Sequence, residues 1–291
     1  YTYEYRSLII ITVFLTAVSS LLGVLCVLFV SDTAEGRLVP QSIVTAIIGL
    51  GIYISIFKHD HTVYNKKMWS FALVFCVSLL PHYLSEFVLQ SSDKLMINYM
   101  CGSRDVAIYS VSYSVGSLIN LITGALNSSF APYQYQQIKA KNFERLSNVA
   151  NQVLLFVAIM LGCLMLFSKE VVLIFGGKKY IESATVIVPI CIGVFFNYLF
   201  QLFARLQEYY ERKLTVVIPS IFCAVLNLIL NYIFINIFGY QAAAYTTFFC
   251  YLFFCFVHYL FYKKVCKELL DGIQIYDIKF ILILSIGVII G

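Results

Sequence analysis

The sequence predicts an all-α protein, a polytopic membrane helix bundle of about nine transmembrane helices. Nine runs of mostly apolar residues, separated by short polar connectors, fill nearly all of its 291 residues. A bilayer core about 30 Å thick takes roughly 20 apolar residues per helical crossing. The runs are too long and too uniformly apolar for barrel strands, which alternate in ~10-residue segments. Composition agrees: 61% of residues are hydrophobic and 12% charged, with a mean hydropathy of +0.87, where a soluble domain carries about 25% charged residues. The third observation is the placement of charge. Fourteen of the twenty Lys and Arg fall in the N-terminal tail and every second connector after it (58–68, 133–148, 205–214, 263–279). By the positive-inside rule that set is cytoplasmic, with Tyr1 on the same side. Lys178 and Lys179, on the opposite side, are the weak point of this assignment. The net charge of +5 is therefore spread over connectors and offers no face for nucleic acid.

The elements follow in order. Leu8–Val30 has no signal-peptide n-region before it and is taken as a true crossing. Gln41–Phe57 contains a GxG at Gly49–Gly51 but no nucleotide fingerprint around it. Trp69–Gln90 carries Pro81 and the one acidic residue expected deep in a span, Glu86. His82, Glu86, Gln90 and Asp93 follow at steps of four, four and three, along one helix face. An ionisable group there costs about 2.5–3.5 kcal/mol on insertion scales. The stripe therefore lines a water-filled cavity, or it snorkels near the outer surface and pairs with Lys94.

Val106–Pro132 repeats the pattern with Tyr113, Ser117, Asn120, Gly124 and Asn127. Small residues at that spacing allow close helix approach with Asn as interhelical glue, or else the face contacts substrate. The sequon at Asn127 is buried in the span and is read as coincidence. Val149–Phe167 is plainly apolar. Ala184–Arg205 has Pro189 and a stripe of Asn197, Gln201, Arg205 and Glu208 running toward the cytoplasmic surface. Its arginine is an interfacial anchor or meets an anionic headgroup. Thr215–Phe238 carries Pro219 and the pair Asn227 and Asn231, read as interhelical hydrogen bonding. Gln241–Tyr262 and Lys279–Gly291 complete the series, the last run cut short. The longest cytoplasmic connectors, Tyr133–Asn148 and Lys263–Asp277, read as amphipathic interfacial helices.

Seven of the nine cysteines fall inside spans with no CxxC spacing, as small packing residues do. There is no HExxH, GxSxG or P-loop. His82 and Glu86 at i, i+4 have no evident third metal ligand, so no metal and no cofactor are expected.

The stretch from about Leu80 to Lys141 carries a resemblance. A proline-containing span leads into Ser92-Asp93-Lys94-Leu95-Met96-Ile97, then Ala107-Ile108-Tyr109-Ser110, Tyr113, Asn127 and Phe130-Ala131-Pro132-Tyr133 before a basic segment. This resembles the Wzx-type flippases of polysaccharide repeat units (O-antigen, capsule, exopolysaccharide), within the multidrug/oligosaccharidyl-lipid/polysaccharide exporter superfamily. The likeness continues through Gly176-Gly177-Lys178-Lys179-Tyr180 and the Pro189 span.

The resemblance implies a two-lobe exporter in a bacterial inner membrane, of which this chain is the later part. Residues 1–62 would close the N-terminal lobe, 63–268 form a near-complete C-terminal six-helix lobe, and 269–291 begin a further crossing. It implies transport, not enzymatic catalysis: flipping an undecaprenyl-pyrophosphate-linked oligosaccharide to the outer leaflet by alternating access. His82, Glu86, Gln90, Asp93, Lys94, Asn120, Asn127, Asn197, Gln201 and Arg205 would line the path, with Glu86 or His82 coupling ion movement. Implied partners are the lipid-linked oligosaccharide, membrane lipids, and a polysaccharide polymerase and chain-length regulator. The spans hold few basic residues, so the main pyrophosphate contacts are expected in the missing lobe. A cation-coupled multidrug exporter of the same superfamily is the near alternative, with an apolar, acidic pocket. A membrane-embedded polymerase or glycosyltransferase is the second, against which the short connectors speak.

Overall fold

The computed structural model describes residues 5–29, 34–60 and 65–290. Tyr1, Val30, Tyr64 and Gly291 lie outside it, and the side chains of Arg6, Arg37, Lys58 and Ser117 lie outside those described. The described residues are helical with short joints and no strands. They form two compact units, Tyr1–Leu73 and Val74–Gly291.

In the first unit α1 (Tyr5–Phe29) and α2 (Ala34–Asp60) pack as a helical pair, and α3 (Lys66–Met100) begins there. The second unit contains the rest of α3, then α4 (Ser103–Lys139), α5 (Phe143–Leu166), a short α6 (Ser168–Phe175), a 3₁₀ turn (Lys178–Ser183), α7 (Ala184–Tyr209), α8 (Lys213–Phe238), α9 (Ala242–Leu269) and α10 (Ile278–Ile290). Seven helices among the described residues are long and apolar enough to cross a membrane, and the windows Leu38–Ile54 and Ile278–Ile290 are shorter apolar helices. All nine predicted runs are therefore helical over nearly all of their described residues. The helices continue through Pro40, Pro81, Pro132, Pro189 and Pro219.

Helix α7 organises the second unit. It is apolar on nearly every side, as a helix must be to sit inside a bundle, and α4, α5, α8, α9 and α10 all pack on it. Phe195, Leu199, Leu202, Phe203 and Leu206 fill its surroundings with Phe254 and Tyr262 of α9. One glycine is tight at these contacts and another lies at ordinary contact distance. A β-carbon on Gly116 of α4 would lie 2.5 Å from Ile190 Cγ2, and one on Gly193 would already touch the Phe248 backbone at 3.5 Å.

The connectors are shorter than expected. α4 continues to Lys139 and α5 starts at Phe143, so the first supposed interfacial helix is the ends of two membrane helices, while of the second, 263–269 extend α9 and 270–277 are not helical. A helix satisfies its own backbone in lipid and in water alike, and no glycine or proline stops either one at the interface. Likewise α3 runs to Met100, with Gly102 (φ 100°) turning the chain into α4. Asp93, expected in an outer connector, is therefore helical and fully buried. The segment 168–183, expected as a plain connector, contains α6 and the 3₁₀ turn.

The ends of α4, α7 and α9 meet at the basic end of the unit. Tyr135 donates to Glu208 at 3.2 Å, and Arg212 pairs with Glu268 at 3.1 Å. The segment between α9 and α10 is latched there: Tyr262 Oη accepts the backbone N–H groups of Ile275 and Tyr276 at 2.7 and 3.1 Å. Tyr276 Oη accepts from Gln134 and donates to the Leu202 carbonyl. Burial pushes the Tyr276 phenol above its ordinary range, so it remains a donor at any physiological pH. At the other end Ile97, Tyr109, Val186, Ile235, Ala243 and Ala244 make a small separate core.

Candidate functional site: a polar cavity between four helices

Helices α3, α4, α7 and α9 enclose a cavity of about 210 Å³. Its polar wall is built from Glu86 and Gln90 on α3, Asn120 and Thr123 on α4, Asn197 and Gln201 on α7, and Thr247 on α9. Aromatic side chains complete it: Tyr109, Tyr113, Tyr198, Phe248 and Tyr251. Gly124 also lines it, and a β-carbon there would meet nothing within 4 Å. Of the two glycines on this face of α4, Gly116 serves packing and Gly124 leaves open space.

Two buried polar atoms on the cavity wall have no hydrogen-bond partner, Glu86 Oε1 and the Tyr198 hydroxyl. Buried polar groups are paired in the great majority of cases, so each exception needs an account.

Behind the wall lies a different arrangement. Asp93 is 0% exposed and accepts three hydrogen bonds, from Tyr109 Oη at 2.6 Å, Asn231 Nδ2 at 2.7 Å and Thr247 Oγ1 at 2.8 Å. Its donors come from α4, α8 and α9, so one carboxyl group ties four helices together. The second layer is equally complete. Asn227 donates to Thr247 at 3.0 Å and accepts from Ser92 at 3.0 Å, while Asn231 accepts from Thr246. The Asn227 and Asn231 pair thus acts as the interhelical glue its spacing suggested. Lys94 turns away, with Nζ 4.1 Å from the centre of the Tyr113 ring. That is a cation–π arrangement on a residue of the cavity wall.

A second network adjoins the cavity wall at Asn197 and Gln201. Asn127 of α4 donates to Gln201 of α7, Gln201 donates to Asn197 at 3.0 Å, and Arg205 donates to Asn127 at 2.8 Å. Arg205 also lies 3.6 Å from Glu208. Asn127 and Arg205 form this clasp and do not line the cavity.

The structure therefore divides the ten sequence-nominated residues. Glu86, Gln90, Asn120, Asn197 and Gln201 share the cavity, Asn127 and Arg205 clasp it, Asp93 and Lys94 stand behind it, and His82 is elsewhere. His82 Nδ1 is 2.5 Å from Ser220 Oγ of α8, off the cavity wall. Tyr198, Thr247 and Tyr251 were not nominated, because an aromatic or a threonine in an apolar span looks like ordinary packing. Tyr109 and Tyr113 appeared only as parts of motifs.

A protein-family model described as MatE matches residues 79–233, just over half of the chain and most of the helices that build the cavity. No curated protein and no solved structure matches the chain.

Proposed function

The chain belongs to the MatE family of the multidrug/oligosaccharidyl-lipid/polysaccharide exporter superfamily, and we propose that it flips a lipid-linked oligosaccharide across a bacterial cell membrane. The coarser statement stands on the family and the helices together: this is an integral membrane protein of a transporter family, an exporter or flippase and not an enzyme. The finer one rests on the cavity wall. Four amides, two threonine hydroxyls, aromatic faces and a single carboxyl group line it. A compact organic cation is better served by an apolar pocket with acidic groups; amides and hydroxyls suit a polar, uncharged headgroup.

The physical problem is the headgroup, which cannot cross ~30 Å of hydrocarbon unaided because each unpaired polar group costs several kcal/mol there. A wet cavity that opens alternately to each side lowers that barrier while the lipid tail stays in the bilayer. The basic end, carrying Lys139, Lys141, Arg145, Arg212, Lys263, Lys264 and Lys267, is then the cytoplasmic side from which the substrate is taken. At about 210 Å³ the cavity is smaller than the ~300–1,000 Å³ usual for a drug-sized ligand site. It therefore holds one part of the headgroup at a time.

The test is complementation. In a strain lacking its repeat-unit flippase, the full-length protein should restore lipid-linked repeat units to the outer leaflet and leave resistance to cationic drugs unchanged. Raised drug resistance without repeat-unit rescue would replace this reading with the multidrug one.

A further inference from the structure

We propose that a groove between α8 and α9, at the end of the unit away from the basic residues, holds one acyl chain of a membrane phospholipid, and that this chain keeps water off the Asp93 network. The groove has a volume of about 640 Å³, within the ~300–1,000 Å³ of a ligand site. It would hold a chain whatever the polar cavity carries.

Residue spacing builds it. Leu230, Phe234 and Phe238 follow at steps of four along α8, and Gln241, Tyr245 and Phe249 do the same beside and along α9, so each helix raises one ridge. Between the ridges the groove is lined by Ala242 and Thr246, both small. Phe234 and Phe238 stack with ring centres 6.0 Å apart, which makes their ridge a continuous aromatic wall. Protein does not cover these walls: Phe238, Tyr245 and Phe249 are 67%, 57% and 51% exposed.

The occupant has to be apolar, long and thin. Both helices are long and apolar enough to cross a membrane, so the groove opens on hydrocarbon. No charged side chain lines it, and Thr246 gives its one side-chain proton to Asn231. Eight residues of helix at ~1.5 Å each make a ridge about 12 Å long. That is close to half of the ~30 Å hydrocarbon core, the depth of one leaflet. Gln241 stands at the end of the groove where α9 begins, beside the turn at Gly239, which is where a headgroup would lie.

Occupancy matters because of what lies beneath. Thr246 lines the groove and donates to Asn231, which in turn donates to Asp93 at 2.7 Å. Water standing in the groove would compete for those bonds, and a hydrocarbon chain cannot. A chain seated between the two ridges is therefore a part of the structure, unlike lipid that exchanges along a smooth helix face.

The experiment is native mass spectrometry of the full chain released from detergent micelles, dosed with dioleoylphosphatidylglycerol or, separately, with undecaprenyl phosphate, and paired with hydrogen exchange. The wild type should retain one phospholipid. Ala242→Leu fills the floor of the groove and Phe234→Ala lowers a wall. Each should weaken retention about tenfold, the effect of burying roughly two fewer methylene groups, with helix content unchanged. Phe234 is 37% exposed, so its variant keeps the test alive should Ala242→Leu fold poorly. Stripping lipid from the wild type should speed amide exchange around Asn231 and Thr246, and adding it back should slow it. No retained phospholipid, or equal retention by the wild type and both variants, would overturn the proposal, as would exchange that ignores the lipid. Retention of undecaprenyl phosphate in place of phospholipid would overturn it by giving the groove to an isoprenoid tail. A dimer lost in both variants would overturn it by giving the groove to a second copy of the chain.

Discussion

Glu86 and Asp93 lie on one face of α3, seven residues apart, and the protein treats them in opposite ways. Asp93 is sealed from every side and saturated with donors from three other helices. Glu86 faces a cavity with one oxygen unpaired. An acidic side chain within a membrane helix is by default a functional hypothesis, and this pair shows that position alone does not decide it. The state of its hydrogen bonds does. A group whose partners are all protein is a fastener; Glu86, beside a cavity and with an oxygen that no protein group serves, is not one.

The largest effect expected from this contrast is on stability at Asp93. Asp93→Ala strands the Tyr109, Asn231 and Thr247 donors in a dry seam and should cost about 3–5 kcal/mol, the range for breaking a buried charge-assisted network. Asp93→Asn retains one acceptor oxygen and should cost roughly half as much, nearer the ~1–3 kcal/mol of one unsatisfied buried group. Both are read from unfolding of the protein in bicelles. If Asp93→Ala unfolds with the wild type, the seam is not a fastener and the contrast with Glu86 is lost.

The sequence anticipated part of this difference and missed part. Apolar run length made the long helices legible, though not α6, because a bilayer leaves a backbone few ways to cross it. The four-residue steps placed His82, Glu86, Gln90 and Asp93 on one face of α3. They did not show that this face meets α8 at His82, a cavity at Glu86 and a three-helix junction at Asp93. Side-chain periodicity belongs to one helix, while the partner at each level is set by how the others cross it. Asn227 and Asn231 were legible as glue, since a mid-span amide has few other uses. Tyr198 was not, because a buried tyrosine announces nothing until its hydroxyl is found without a partner. Helix ends were misjudged for a related reason: polar residues mark where the lipid stops, and α3, α4 and α9 continue past that point.

A smaller effect is expected at the clasp, which lies between the two extremes. Asn127→Ala removes the acceptor of Arg205 and the donor to Gln201. Arg205 and Gln201 are only partly buried, so water replaces some of what is lost. Interhelical hydrogen bonds in membranes average about 0.6 kcal/mol with a maximum near 1.7, and the variant should fall within that range. Because the clasp fastens α4 to α7 at Gln201, its loss should also speed exchange of amides in α7 near Gln201, measured by hydrogen exchange. A cost as large as that of Asp93→Ala would make the clasp part of the same fastener.

The smallest stability effect belongs to Glu86, and there the contrast becomes sharpest. Glu86→Gln keeps the shape of the side chain and an acceptor oxygen, so unfolding in bicelles should move by no more than about 0.5 kcal/mol. Transport should respond differently. His82 lies off the cavity with its Nδ1 hydrogen-bonded to Ser220, so of the two titratable groups nominated for ion coupling Glu86 is the one that lines it. A carboxyl group that exchanges a proton or a cation as the cavity opens to each side makes flipping rate depend on pH, and an amide cannot. The wild type should therefore show a pH-dependent rate of repeat-unit flipping, and Glu86→Gln a lower and flatter one. A variant whose pH profile parallels the wild type would leave Glu86 a role in binding and move the coupling elsewhere in the protein.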